Sequence, residues 1–270
     1  MGVIIKESLN LTKEFKEAHL NAMAEAKSQL ELDEEDVEHM LEEAAKVSKV
    51  ASQVMEVTGQ LVEVFQGRAE QVVKDNAHWY FEHQLKYDNN ITTSELLDCL
   101  CFFCDFVDNT SASTETNKLV TLSNTFLKVL KSKHGEDEFV QHTVAYGVGA
   151  FGYHIPQEDF SHILPRALEL IKPVAYAEDA FEEDNLEKTE NYLGALMKLA
   201  YKHTDGSSLT KEDMSYVLAH MPFTSDECES KVSHRILIDE LRNQNPHLMS
   251  ADMQPKAINA LKAIKQHVAE

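Results

Sequence analysis

Apolar residues along most of the chain recur at steps of three and four, the spacing that gathers them on one stripe of an α-helix. In "SLTKEDMSYVLAHM", Met214, Val217, Leu218 and Met221 form such a stripe. Ser208 or Thr210 precedes it as an N-cap, and acids fill the first turn, where the helix dipole favours them. The same pattern predicts helices over residues 4–30, 34–57, 60–85, 93–108, 114–133, 137–154, 157–172, 186–203, 209–221, 226–243 and 254–268. No stretch carries a convincing strand pattern. The breaks are short and polar, as in "KYDNN", "NTSAS" and "HIPQ". One is longer: "YAEDAFEEDNLEK", residues 176–188, an acidic loop between two strongly helical segments.

The helical stripes also repeat. Segments beginning near Leu96, Val140, Thr189 and Ser230 start 44, 49 and 41 residues apart, and each is followed by a second amphipathic helix. That spacing is close to the ~40–47-residue period of HEAT and armadillo arrays. The segments 34–57 and 60–85 supply a further pair. A lone antiparallel pair cannot bury its apolar face, so stacked pairs share one elongated core. The expected fold is all-α: an α-α superhelix, a HEAT-repeat solenoid of about five or six antiparallel pairs. It would occupy residues 1–270 as a single domain.

Composition agrees with helices and narrows the partners. Nine Gly and six Pro in 270 residues are few for a chain that must turn at every strand end. Lys plus Arg number 25 against 46 Asp plus Glu, a formal charge of -21. Such a field repels nucleic acid and anionic lipid and attracts basic proteins. No leader pattern opens the chain, and no window approaches the ~20 apolar residues of a membrane span. Three of the four cysteines, Cys99, Cys101 and Cys104, fall inside the apolar run "LLDCLCFFCDFV", where buried small hydrophobes are expected rather than a disulfide framework or a zinc site. These features predict an intracellular protein.

The chemical motifs do not develop into a catalytic site. Gly147, Gly149 and Gly152 have the spacing G-x-G-x-x-G, which in a dinucleotide-binding turn follows a strand and opens a helix. Here Phe139, Val140, Val144, Gly147, Val148 and Phe151 follow helical periodicity instead, and Pro156 would cut a phosphate-binding helix short. Ala145, Gly149 and Gly152 are expected to let neighbouring helices approach closely, so no cofactor is predicted. His78 and His83 belong to no H-E-x-x-H frame, and a calcium loop ending at Glu212 would begin on Tyr201, which is not a carboxylate. No catalytic or metal-binding residue is assigned. The acidic loop is different. Glu178, Asp179, Glu182, Glu183 and Asp184 form a candidate contact surface for a basic segment, attractive over about a Debye length.

Three segments carry a resemblance. "VQHTVAYGVGAFGYH" followed by "FSHILPRALELI" resembles the C-terminal HEAT repeats of the importin-beta (karyopherin-beta) nuclear transport receptors. In that family R-x-A-A-Y-G-L-G-x-x-A precedes a helix with L-P-x-L. "DNLEKTENYLGALMKL" is similar to N-x-x-A-T-E-N-x-I-S-A-x-G-K-I of the importin beta-3 branch, with Asn185, Thr189, Glu190, Asn191, Ala195 and Leu199 on the pattern. "VLAHMPFTSDECESK" resembles its L-x-x-L-P-L-x-x-D-x-E-E segment. Gln141 replaces the common Arg, and "LMK" at 196–198 lacks the Gly-Lys pair, as in a divergent member.

The resemblance implies a carrier, not an enzyme, working in cytoplasm and nucleus. Its partners would be basic cargo proteins bearing nuclear localisation signals, nuclear pore proteins and the Ran GTPase, the last bound mainly by upstream repeats. Contacts would come from second helices such as 157–172 and 209–221 and from acidic loops. As the C-terminal portion of a longer receptor, the chain would expose apolar surface at its N-terminal end and could self-associate there. A HEAT scaffold or adaptor subunit of another complex is the alternative, sharing the period without the T-E-N segment.

Overall fold

The computed structural model describes residues 116–203 and 209–269, with Glu14, Asn21 and scattered helical positions from Thr93 to Cys104 before them. The predicted helices 34–57 and 60–85, nearly all of 4–30, and His78, His83 and Cys99 lie outside the described residues. The chain divides into two compact units, Met1–Thr114 and Glu115–Glu270.

In the first unit, Leu96, Leu100, Phe103 and Cys104 are buried on helical backbone, the i, i+4, i+7, i+8 stripe predicted for 93–108. Cys101 is exposed. This corrects the expectation that it is buried like Cys104: it stands one residue past Leu100, about 100° around the helix from the stripe.

The second unit contains α1 (Thr116–Val129), α2 (Glu138–His154), α3 (Gln157–Phe160), α4 (Leu164–Ala175), α5 (Leu186–Lys202), α6 (Lys211–Ala219), α7 (Glu227–Arg242) and α8 (Gln254–Ala269). A single 3-10 turn, Glu183–Asn185, precedes α5, and no strand occurs among the described residues. The unit is all-α. Side chains set the helix starts. Asp137 accepts from the N–H groups of Phe139 and Val140 at the head of α2, and Asp226 from those of Cys228 and Glu229 at the head of α7. Thr210 and Asp213 form a reciprocal capping box on α6.

One predicted helix is divided. The pattern suggests a continuous helix over 157–172, but the chain turns at residues 161–163 and restarts as α4 with Pro165 in its first turn. Inside a continuous helix the Pro165 ring would strike the carbonyl of Ser161, whereas a first turn needs no N–H there. At its other end α4 runs past Pro173 to the buried Ala175, three residues beyond the predicted end.

Helix α5 is the hub of the unit, packing on α2, α4, α6 and α7. Every residue from Thr189 to Tyr201 is buried. Its closest partner is α2. A Cβ on Gly149 would lie 2.6 Å from the Cα of Ala195, and one on Gly152 would strike the side chain of Leu199. Gly147, Gly149 and Gly152 are thus buried interior positions of a helix, two of them where α2 meets α5. Helix α1 packs on α2 and extends the core through Phe126, whose ring meets that of Phe151 edge to face at 4.8 Å. Helices α6 and α7 both contact α8.

Candidate functional site

The acidic loop between α4 and α5 has a defined conformation, set by three anchors. Ala180 is buried, and its carbonyl accepts from the Thr189 hydroxyl at 2.6 Å. Asn185 donates through Nδ2 to the carbonyl and the carboxylate of Asp179, both at 3.2 Å. Phe181 lies flat on the imidazole of His220, with ring centroids 4.2 Å apart and planes 11° from parallel. Glu178, Asp179, Glu182, Glu183 and Asp184 are all exposed on this frame. Among the described residues none of the five forms an ion pair.

The anchors bring aromatic rings to the same place. Tyr176 at the end of α4 meets Tyr216 of α6 at 4.5 Å, Tyr216 meets His220 at 4.4 Å, and Phe181 lies 6.5 Å from Tyr216. Tyr176 and Phe181 remain 39% and 41% exposed, large values for residues in a ring cluster. No sequence motif marks these rings as a group. The available signal was Tyr176 and Phe181 interleaved with acids in "YAEDAFEED", a loop that needs no aromatic for solubility.

The cluster has a rigid base. Asp213, buried in the first turn of α6, accepts from the Tyr176 hydroxyl at 2.6 Å, the Lys172 ammonium at 3.0 Å and the Thr210 N–H at 2.7 Å. Burial alone would raise its carboxyl, but the hydrogen bonds from Tyr176, Lys172 and Thr210 outweigh that and hold it below the usual aspartate value. For Tyr176, burial and the bond to Asp213 push the phenol well above its ordinary range, so it stays protonated as the donor. The second tyrosine, Tyr216, donates to the Ala175 carbonyl at 3.3 Å.

A second polar system joins α5 to α7 and holds the residues of the T-E-N segment. Glu190 accepts from three successive N–H groups ahead of α7: Thr224 at 2.8 Å, Ser225 at 2.7 Å and Asp226 at 3.2 Å. Asn191 donates to the Asp226 carboxylate at 2.7 Å. Further along, Lys198 and Glu229 form a fully buried ion pair at 2.8 Å, with Ser233 donating to Glu229 and the Lys198 ammonium 4.3 Å from the centre of the Tyr146 ring. At the far end Glu240 accepts from Tyr153 and from Asn245, each at 2.6 Å. Within this system each polar side chain faces a complementary one, as burial requires. Its role is to lock α7 in register on α5.

Elsewhere, no group of three or more His, Cys, Asp or Glu side chains is placed to hold a metal ion among the described residues. No helix among them is long and apolar enough to cross a membrane. Comparison of the chain with protein-family models, with curated proteins and with solved structures returned no match.

Proposed function

We propose that this chain is a C-terminal HEAT-repeat segment of a karyopherin-beta import receptor that binds basic protein cargo in Ran-regulated transport between cytoplasm and nucleus. The observation that carries the reading is the acidic loop: five exposed carboxylates without ion-pair partners, held on an anchored turn in a chain of charge -21. Fixed like charges of this kind are costly unless a cation meets them, and they steer basic partners from a distance.

The helix contacts support the repeat architecture. Helix α5 contacts α2 before it and α7 after it, while α6 contacts α8. Two layers, α2-α5-α7 and α4-α6-α8, are the arrangement in which antiparallel pairs stack. The T-E-N residues have inter-repeat tasks in that scheme: Thr189 ties down the preceding loop, while Glu190 and Asn191 cap and hold the next first-layer helix.

The test is capture of GTP-loaded Ran, nuclear pore repeat peptides and a Lys/Arg-rich signal peptide by the intact receptor, at 50 and 300 mM salt. Binding of all three, with the basic peptide weakened at high salt, is expected. Retained basic-peptide binding without Ran or pore association would move the chain to a HEAT scaffold of another complex.

A further inference from the structure

We infer that the ring cluster of Tyr176, Phe181, Tyr216 and His220 seats an arginine side chain of a basic peptide segment, in preference to lysine. This rests on the basic-partner reading and names what that partner must carry. The loop carboxylates supply charge attraction but no shape. At long range an ammonium and a guanidinium carry the same unit charge, so the attraction of the loop as a whole does not discriminate between them.

The rings provide the discrimination. Four of them form one contiguous cluster, with neighbouring centroids 4.2 to 4.5 Å apart along its length. One face of Phe181 rests on His220, yet the residue is 41% exposed, and Tyr176 is 39% exposed. A planar, weakly hydrated guanidinium stacks on such surfaces and can keep its N–H groups directed at carboxylates, whereas an ammonium retains its water. The rings are also held before a ligand arrives. The Tyr176 hydroxyl is bound to Asp213, that of Tyr216 to the Ala175 carbonyl, and His220 Nδ1 lies 2.8 Å from the Tyr216 carbonyl oxygen. Little ordering cost therefore falls on binding.

The surroundings select the occupant. Lys172, the nearest basic side chain to Tyr176 on α4, is committed to Asp213 at 2.9 Å. Glu178, Asp179 and Glu182 lie within three residues of Phe181 and are exposed on the same loop, so a cation approaching the ring does so inside their negative field. A second copy of this chain is a poor occupant, because each copy carries -21 charges.

The experiment is fluorescence anisotropy of two labelled peptides, (Gly-Ser-Arg)4 and (Gly-Ser-Lys)4, titrated with the full chain at 50 and 150 mM salt. We expect the arginine peptide to bind about three- to tenfold more tightly at both salts. Phe181→Leu, which keeps an apolar contact on His220 but removes the π face, should reduce that ratio to below about twofold while leaving the lysine peptide unchanged. The triple change Glu182→Gln, Glu183→Gln, Asp184→Asn should weaken both peptides by the same factor. Equal binding of the two peptides, absence of binding to either, or a ratio untouched by Phe181→Leu overturns the inference. None of these results bears on Ran or pore association, which decides the receptor reading separately.

Discussion

At the level of single residues, the unit is governed by polar groups that burial forces into partnerships. Two histidines show this with opposite ring roles. His234 Nε2 accepts from the Phe223 N–H at 3.2 Å, which only a neutral ring can do. His203 Nε2 lies 2.8 Å from the Gly152 carbonyl oxygen and must carry the hydrogen, leaving Nδ1 bare and without a partner. Burial lowers the pKa of both below the ordinary histidine value. The unfolded chain therefore takes up protons first as pH falls through about 6.5. Stability contributed by these neutral rings is fully present above that value and is lost as pH falls towards their folded values. Urea denaturation at pH 7.5 and 5.5 should show a lower midpoint at 5.5, with the difference reduced in His234→Gln. A midpoint independent of pH over this range would refute the assignment. Asp213 does not interfere, since the hydrogen bonds from Tyr176, Lys172 and Thr210 hold its carboxyl below the ordinary aspartate range.

The Lys198–Glu229 pair is the other buried charge problem, with both side chains inaccessible to solvent. Removing one partner leaves an unpaired buried ion, so Lys198→Met should destabilise by about 3–5 kcal/mol. Lys198→Met combined with Glu229→Leu should recover most of that loss, because two apolar groups pack without either ion's desolvation cost. Chemical denaturation of the two single variants and the double variant closes the cycle. Additive losses would show that the two charges are not coupled.

At the level of elements, α2 and α5 approach until a glycine is required. Gly149 costs roughly 1 kcal/mol of helix propensity relative to alanine. The missing Cβ lets the α5 backbone at Ala195 come to where a methyl would lie 2.6 Å from its Cα. Backbone cannot rotate away as a flexible side chain can, so overpacking of about 1–3 kcal/mol opposes the propensity gain. Gly149→Ala should therefore lower stability by up to about 2 kcal/mol, measured by the urea midpoint. An increase in stability would show that the helices separate freely at this point. The break between α3 and α4 follows the same logic of local sterics, since Pro165 is compatible with a first turn and incompatible with a helix interior.

For the whole molecule, charge is the dominant long-range term. A chain of -21 in which the loop carboxylates form no described ion pair repels itself, and the screening length falls from about 30 Å at 0.01 M salt to about 10 Å at 0.1 M. Surface ion pairs among the described residues, such as Lys231 with Glu227, are exposed and contribute little. Added sodium chloride should therefore raise the thermal midpoint of the full chain by a few degrees between 10 and 200 mM. A falling midpoint would mean that exposed pairs outweigh the net repulsion.

The helices of this unit were legible in the sequence because periodicity, caps and prolines act over a few residues. Asp137, Thr210 and Asp226 start their helices where local side-chain bonds to backbone N–H groups are available. The acidic loop was legible as composition. What tertiary structure alone decided is which distant residues share a place. Tyr216 and His220 are i, i+4 neighbours at the end of α6, but no spacing rule brings Tyr176 from the end of α4 and Phe181 from the loop to join them. The burial of Glu190, Asn191 and Lys198 was equally hidden, because polar residues on one amphipathic helix ordinarily face water. Helix α5 is enclosed by four neighbours, so its polar face had to be satisfied by residues some thirty positions away, and that pairing exists only in the folded chain.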